Sequence, residues 1–235
     1  MYRKVLLKLS GEMLGLDGKL FDHAKIDATA SVLCRAAERG IALGVVIGAG
    51  NIWRGRQGTH MDAVTADHMG MLGTVINCLA MRDAVERCGG KVEMISALGI
   101  DHVCRACYPH EAAAAMQPGQ IVLFAGGTGN PFFSTDTGVV LRAAEVGADA
   151  ILLAKNIDGV YTADPRKDPQ AKLIREISYT EAQEKHLGVM DAAAFAMCAE
   201  QKIPVVRVFA LDEPENILKV LDGDPMGTVL HPRQD

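Results

Sequence analysis

Short apolar runs alternate along the chain with longer segments in which apolar residues recur at helical spacing. The short, continuous runs predict strands, and the segments that keep a period of three to four residues predict helices. Such an alternation is typical of parallel strands joined by helices that cover both faces of the sheet. The predicted strands are residues 5–9, 41–47, 92–96, 121–124, 150–154 and 204–209, and the predicted helices are residues 24–39, 63–88, 137–146 and 214–221.

Local signals refine this pattern. Gly40 ends one predicted helix, and Gly89 with its neighbouring glycine ends another. Ser178 and Glu181 have the spacing of a capping box, so a further helix is expected to begin there. The polar stretch 162–172 contains two prolines and is predicted to be a loop, at the boundary between two parts of the chain.

Composition agrees with an α/β protein that has a mainly parallel central sheet. The chain has 235 residues, of which 49% are hydrophobic and only 5% aromatic, as is common where parallel strands are buried on both faces. The net charge of −5 argues against a general nucleic-acid binder. We find no secretory signal and no apolar run near 18 residues, so we expect a cytoplasmic protein without a membrane partner.

The six cysteines are expected to be free thiols. Cys104 and Cys107 form a lone CxxC, which we interpret as incidental because no second pair of zinc ligands accompanies it. The histidines are scattered as well. We therefore predict no metal site built from protein side chains alone.

Three glycine-rich segments follow predicted strands, where backbone N–H groups and helix N-termini can bind anions. The first segment adds a lysine and a hydroxyl, and the second an arginine that suits phosphate oxygens. Each alone is also compatible with an ordinary turn, the third with its two phenylalanines in the core, but together they favour phosphate binding. The segments are Lys8-Leu9-Ser10-Gly11, Gly48-Ala49-Gly50-Asn51 with Arg54, and residues 125–136.

A fourth segment, 158–165, suggests a nucleotide contact. Tyr161 can flank a base, and Asp164 can accept a hydrogen bond from a ribose hydroxyl or an amino group. The alternative is a β-hairpin that turns at Asp158-Gly159. The chain contains no GxxxxGK[ST] motif, which excludes a P-loop NTPase, and no GxGxxG after the first strand, which disfavours a dinucleotide-binding fold.

These segments resemble the bacterial UMP kinases, a branch of the amino-acid kinase superfamily, from residue 4 to about residue 230. Some of the matching motifs occur across the superfamily, whereas the helix that contains DHMGM and the loop GTGNPFFSTD are specific to the UMP-using branch. The motifs are KLSGE (8–12), VVIGAGNIWRG (45–55), ADHMGMLGTVINCLAMRDA (66–84), GTGNPFFSTD (127–136), DGVYTADP (158–165) and VMDAAAF (189–195).

The resemblance implies one amino-acid kinase domain over 1–235, with an acceptor part of about 1–145 and an ATP part of about 146–235. It implies transfer of a phosphoryl group from Mg-ATP to UMP, in the pathway to UTP and CTP. The implied catalytic residues are Lys8, Arg54, Asp136 and Asp191, the two aspartates orienting Lys8 or a Mg²⁺-bound water. The implied ATP-binding residues are Lys8, Leu9, Ser10, Gly11, Gly50 and Arg54 at the phosphates, and Lys155, Tyr161 and Asp164 at adenosine.

For UMP, the resemblance implies that the N–H of Ala49 meets the phosphate and that Asp67 bonds the ribose. The glycine-rich loop wraps the nucleotide, with its last residue near the phosphate. The loop residues are Thr128, Gly129, Asn130, Pro131, Phe132, Phe133, Ser134 and Thr135. A homohexamer of dimers, packed partly through helix 63–88, is also implied.

Two alternatives stay open at this point. Another amino-acid kinase, with aspartate, glutamate, acetylglutamate or carbamate as acceptor, would share Lys8, Gly50 and Asp164. A nucleotide-binding storage or regulatory protein on the same fold would bind ATP without turnover. The sequence also departs from the family at two positions, with Ala49 in place of a third glycine and Lys155 in place of Thr or Asn.

A third departure concerns regulation. In many relatives GTP activates the enzyme through a glycine-rich segment after the first loop and through basic residues at a subunit contact. Here that segment is 16–22, and Glu86 and Glu93 stand where basic residues are expected. We predict weak or absent activation by GTP, because carboxylates repel its phosphates. Initial rates at subsaturating ATP, with and without GTP, test this, and a several-fold stimulation would contradict it.

Overall fold

The computed structural model describes residues 2–54 and 60–233. The strands are β1 (Lys4–Leu9), β2 (Ala42–Ile47), β3 (Val92–Ser96), β4 (Arg105–Ala106), β5 (Ile121–Ala125), β6 (Ala150–Lys155), β7 (Val160–Tyr161), β8 (Leu173–Ile174), β9 (Glu176–Ser178), β10 (Val206–Ala210) and β11 (Thr228–His231). The helices are α1 (His23–Glu38), α2 (Ala63–Arg87), α3 (Pro109–Ala115), α4 (Thr135–Val146), α5 (Tyr179–Glu184), α6 (Ala192–Glu200) and α7 (Asn216–Leu221), and a 3₁₀ turn covers Gly11–Leu14.

Nine strands form one twisted sheet in the order β4-β3-β5-β2-β1-β6-β10-β11-β9. The pairs are parallel except β10 with β11, which is antiparallel. From β1 the chain first builds one side of the sheet through β2 and later returns to the other side through β6. In open α/β sheets a ligand site lies outside the carboxyl ends of the strands at such a switch of direction.

Helices cover both faces of the sheet, as the alternation predicts. Leu7 of β1 packs into a core beneath α1, α2 and α7, whereas its neighbour Leu6 packs into a second core beneath α3, α4, α5 and α6. Successive strand residues point to opposite faces, so a nearly continuous apolar run such as β1 supplies both cores. Cys104 and Cys107 lie against different cores, which separates the two thiols of the CxxC.

The predicted elements are present with small shifts of their ends. The shift that matters most for the site is at the start of α4, which begins at Thr135 rather than at residue 137. The Ser134 hydroxyl accepts hydrogen bonds from the N–H groups of Asp136 and Thr137, so Ser134 is the N-cap. The capping box at Ser178 and Glu181 is confirmed. The elements that the pattern missed are β4, α3, β7, β8, β9, α6 and β11, most of them too short for a clear period.

The segment after β6 forms a hairpin, but not the one considered from sequence. β7 pairs with β8 across residues 162–172, so Asp158 and Gly159 precede the first strand instead of forming the turn. A Cβ on Gly159 would lie 2.6 Å from Leu173 Cδ1 and 2.7 Å from Thr228 Oγ1. This glycine is therefore needed for close packing. Within the described ranges, no helix is both long and apolar enough to cross a bilayer.

Candidate active site

Four loops meet at the carboxyl ends of neighbouring parallel strands. They follow β1, β2, β5 and β6, and three of them are the glycine-rich segments singled out in the sequence. A cleft of about 730 Å³ opens beside them, and Lys8, Ser10, Lys155, Tyr161 and Asp164 line it. The strand order thus brings residues from positions 8 to 164 to one edge, where a phosphorylated ligand can reach all of them.

The centre of the site is a carboxylate between two ammonium groups. Asp136 lies in the first turn of α4, and its Oδ1 is 3.2 Å from Lys8 Nζ while its Oδ2 accepts a hydrogen bond from Lys155 Nζ at 2.6 Å. The three side chains are 13–20% exposed. Together they carry a net charge of +1 in a half-closed space, which favours an anion beside them.

The two members of the Asp136–Lys155 pair respond differently to burial. Burial raises the pKa of Asp136, but the Lys8 and Lys155 ammonium groups outweigh this and hold that pKa below its usual value. Burial, together with repulsion from Lys8, lowers the pKa of Lys155 in spite of the attraction to Asp136. Lys155 therefore keeps its proton mainly because a carboxylate faces it, and an added phosphate would favour the charged form further.

The first two loops touch each other. A Cβ on Gly11 would lie 2.3 Å from the Gly48 carbonyl oxygen and 2.8 Å from the Gly50 nitrogen, so only glycine fits at this point of the first loop. Ala49 has no positive φ, so its backbone does not need the freedom of the glycine that the resemblance places at this position. The methyl group of Ala49 faces Gly73 of α2. A Cβ on Gly73 would lie 2.9 Å from the Cβ of Ala49, so position 73 needs a glycine.

Arg54 lies above the second loop. Its guanidinium forms an ion pair with Glu12, and its Nε is 3.4 Å from the Gly50 carbonyl oxygen. The side chain is 53% exposed, so the pair with Glu12 is weak and exchangeable for a phosphate. Gly55, the last residue of the second motif, lies outside the described residues.

The third loop is fixed at three points. The Gly126 N–H donates to Thr74 Oγ1 at 2.8 Å, and the Gly127 carbonyl accepts from Arg142 Nη2 at 3.1 Å. At the other end, the Phe132 N–H donates to Asp67 Oδ2 at 2.7 Å, and Phe132 has a φ of 71°. Two of these bonds precede residues 128–131 and the third follows them. We call residues 128–131 the arc of the third loop.

Two phenylalanines of this loop do not belong to the core. Phe132 is 75% exposed and Phe133 is 52% exposed, so the interpretation that packed them inside is wrong. Two adjacent large apolar side chains that are exposed to solvent are typical of an interaction site. Their place next to the arc 128–131 suits contact with a ligand.

The carboxylate of Asp191 lies between the starts of two helices. The resemblance implied that it orients Lys8 or a Mg²⁺-bound water; in the structure it caps α6 through the Ala194 N–H at 2.8 Å and accepts from Thr137 Oγ1 at 2.9 Å. It also accepts from the Ser134 hydroxyl, and among the described residues it makes no bond to Lys8. Asp191 therefore ties the beginnings of α4 and α6 together, and it holds the end of the third loop in place.

The ammonium of Lys155 faces Asp136 at the centre of the site. The resemblance implied a place for Lys155 at the adenosine, and the residue also lines the cleft together with Tyr161 and Asp164. The remaining adenosine candidates lie farther along the cleft. Tyr161 donates its hydroxyl to Asp158 Oδ1 at 2.8 Å, and Asp164 accepts from the Arg166 N–H at 3.0 Å. The segment 185–189 also lines the cleft, which no sequence signal indicated.

No group of three or more His, Cys, Asp or Glu side chains that could hold a metal ion exists in the part of the chain that the structure describes. Near the site, the carboxylates of Asp136 and Asp191 are already engaged by lysines and hydroxyls.

The chain is similar to proteins of known structure over its whole length. The sequence model of the amino acid kinase family matches residues 3–207. The UMP kinase of Ureaplasma parvum is 33% identical with a TM-score of 0.91, over 98% of this chain and 99% of that one. The UMP kinase of Bacillus anthracis is 34% identical with a TM-score of 0.94, over 99% of this chain and 97% of that one.

A more distant similarity concerns the fold alone. The uridylate kinase of Archaeoglobus fulgidus is 24% identical with a TM-score of 0.71, over 96% of this chain and 99% of that one. The bacterial structures and the family match confirm the resemblance drawn from the motifs, and they confirm the mainly parallel sheet with helices on both faces.

We predict that Asp136→Asn destabilises the fold by about 3 kcal/mol at neutral pH, because it leaves two half-buried ammonium groups without their carboxylate. The stability of the variant should then rise with pH. The folded pKa of Lys155 lies below the unfolded value, so between the two values the unfolded chain binds the extra proton. Denaturant titrations at pH 7 and pH 9.5 measure both effects.

Asp83→Asn is the matched control, because Asp83 pairs with Arg87 on the exposed face of α2. Its stability should stay within error of the parent at both pH values. A variant Asp136→Asn as stable as the parent at pH 7, or one without a gain at pH 9.5, would contradict the proposed coupling.

Proposed function

The chain belongs to the amino acid kinase family, and we propose that it transfers the γ-phosphoryl group of Mg-ATP to UMP, giving UDP and ADP. One observation carries the proposal. The Lys8–Asp136–Lys155 centre lies at the same sheet edge as the arc 128–131, which is part of the loop GTGNPFFSTD (127–136) that resembles the UMP-using branch. A donor cleft and an acceptor loop therefore meet at a cationic centre. The proposed setting is the cytoplasmic supply of pyrimidine nucleotides.

In this proposal ATP occupies the 730 Å³ cleft. Tyr161 and Asp164 hold the adenosine, and the triphosphate runs along the first loop, from Leu9 to Gly11, toward Gly50 and Arg54. The ATP part, about 146–235, thus supplies the base site, whereas the acceptor part, about 1–145, supplies the phosphate loops. Mg²⁺ arrives bound to the phosphates as part of the substrate.

UMP lies on the other side of the centre. Its phosphate is near the Ala49 N–H and Thr135. Its base lies against the third loop, between Thr128 and Phe133. Asp67 bonds the ribose. Its Oδ2 atom accepts a hydrogen bond from the Phe132 N–H in the present structure, so this bond must be broken or shared when UMP binds.

Transfer of a phosphoryl group needs alignment and charge compensation more than covalent help. A phosphate oxygen of UMP is itself the nucleophile. Lys8 and Lys155 face the oxygens that carry the growing charge, and Asp136 holds both ammonium groups in place. Arg54, once released from Glu12, adds a guanidinium to the same phosphates. The proposed role of Asp191 is to position the third loop through Ser134 and Thr137.

The proposed assembly is a homohexamer built from dimers that pack partly through α2. Leu72 and Ile76 lie one turn apart on this helix and are 47% and 46% exposed. Apolar side chains at such positions suit burial against a second copy. Light scattering that gives the mass of a monomer would contradict this proposal.

We predict that Lys8→Ala lowers the rate of UDP formation by about 10²–10³-fold, because one preorganised cation at a transition state contributes roughly 3–4 kcal/mol. The coupled ADP assay with Mg-ATP and UMP measures it, with a thermal melt to confirm folding. Lys91→Ala, at an exposed lysine before β3, should keep the parent rate. A folded Lys8→Ala enzyme with near-normal turnover would refute the role, and a parent without turnover on UMP would refute the function.

A further inference from the structure

A pair of asparagines joins the second phosphate loop to α2, and one of the two, Asn77, belongs to none of the groups expected to touch a nucleotide. Asn77 is on α2 and is fully buried, and Asn51 ends the second loop. The two amides bond each other in both directions. Asn77 Nδ2 donates to Asn51 Oδ1 at 2.8 Å, and Asn51 Nδ2 donates to Asn77 Oδ1 at 3.0 Å.

Each amide has one further bond that fixes its orientation. Asn77 Nδ2 also donates to the Gly48 carbonyl at 2.7 Å, and Asn51 Nδ2 also donates to the Leu20 carbonyl at 2.8 Å. Since a carbonyl can only accept, neither amide can be turned over without the loss of a bond. The pair is therefore a closed network with a single arrangement, which makes its parts mutually rigid.

The network reaches both phosphate loops. It holds the second loop at Gly48 and Asn51, on either side of Ala49 and Gly50. Within residues 2–54 and 60–233 the N–H groups of Ala49 and Gly50 donate no hydrogen bond to the backbone. The first loop rests on the same atoms, because a Cβ on Gly11 would lie 2.5 Å from Asn51 Oδ1 and 2.3 Å from the Gly48 oxygen. A shift of Asn51 would consequently move the two loops apart.

We propose that Asn77 is a positioning residue for phosphoryl transfer, and that it acts through Asn51 and the Gly48 carbonyl to hold both loops in register. This inference rests on the proposed function. Asn77 reaches no ligand itself, since its side chain is fully buried and engaged. A misplacement of about 1 Å at reacting groups costs on the order of 10²-fold in rate. A small shift of the loops after loss of the network would therefore lower the rate of transfer strongly.

The kinetic test compares Asn77→Ala and Asn51→Ala with the parent, by initial rates with Mg-ATP and UMP. We expect kcat to fall at least about 10-fold in each, because the loops no longer align the phosphates. KM for UMP should change less than about 3-fold, because Asp67 and residues 128–135 remain intact. The double variant should be no more than about 3-fold slower than the slower single variant, since both changes break one network.

A second readout does not depend on turnover. The N–H groups of Gly48, Ile52 and Trp53 bond to backbone carbonyls within and beside the second loop. Hydrogen exchange followed by mass spectrometry should show these amides exchanging at least about 10-fold faster in Asn77→Ala. Thr29→Ala is the control, because Thr29 is 1% exposed and its hydroxyl bonds within α1. It should leave kcat and the loop amides unchanged.

The outcomes separate the two proposals. Folded Asn77→Ala with parental kcat, or with parental exchange at these amides, would overturn the positioning role, as would an equal kcat loss in Thr29→Ala. Should Asn77→Ala fail to fold, Asn51→Ala decides, because Asn51 is only partly buried. A parent without turnover on UMP would refute the proposed function, and the exchange rates would still decide whether the pair holds the loops.

Discussion

The site depends on one buried carboxylate held between two cations. Asp136 enters from the first turn of α4, whereas Lys8 and Lys155 come from the adjacent strands β1 and β6. Removal of Asp136 would leave two ammonium groups close together without a carboxylate between them, so the carboxylate holds both lysines in place. The same arrangement leaves a positive charge to spare, which a phosphate can neutralise. The carboxylate that stabilises this part of the fold thus also holds the two cations of the proposed phosphate site.

A second set of polar groups lies behind the residues that face the cleft. Thr74, Asn77 and Arg142 are buried, and each bonds the backbone of a glycine-rich loop. Glycine gives these loops close approach but little rigidity of their own. Buried hydrogen bonds from α2 and α4 supply the rigidity, so the helices do more than cover the sheet. This division explains how a flexible loop sequence can present N–H groups in a fixed direction.

The sequence was sufficient for most of the fold and for the location of the site. Its apolar runs revealed the strands, and parallel strands necessarily bring their carboxyl ends together, which placed Lys8, Gly50 and Asp136 at one edge. The sequence did not predict the side-chain pairings. Lys155 and Asp191 bond groups at the starts of α4 and α6. Periodicity locates a helix start only to within about one turn, so it could not show which side chains meet there. Thr74, Asn77 and Arg142 resemble ordinary helix positions, and only the packed structure shows which loop each one meets.

The most direct test of the account is the choice of acceptor. ADP formation from Mg-ATP would be measured in parallel with UMP, CMP, AMP, aspartate, glutamate and carbamate. The account predicts turnover with UMP and none with the amino acids or carbamate, because the loop GTGNPFFSTD (127–136) resembles that of the UMP-using branch. Turnover with an amino acid but not with UMP would contradict the acceptor assignment, and ATP binding without turnover on any acceptor would contradict the assignment as a kinase.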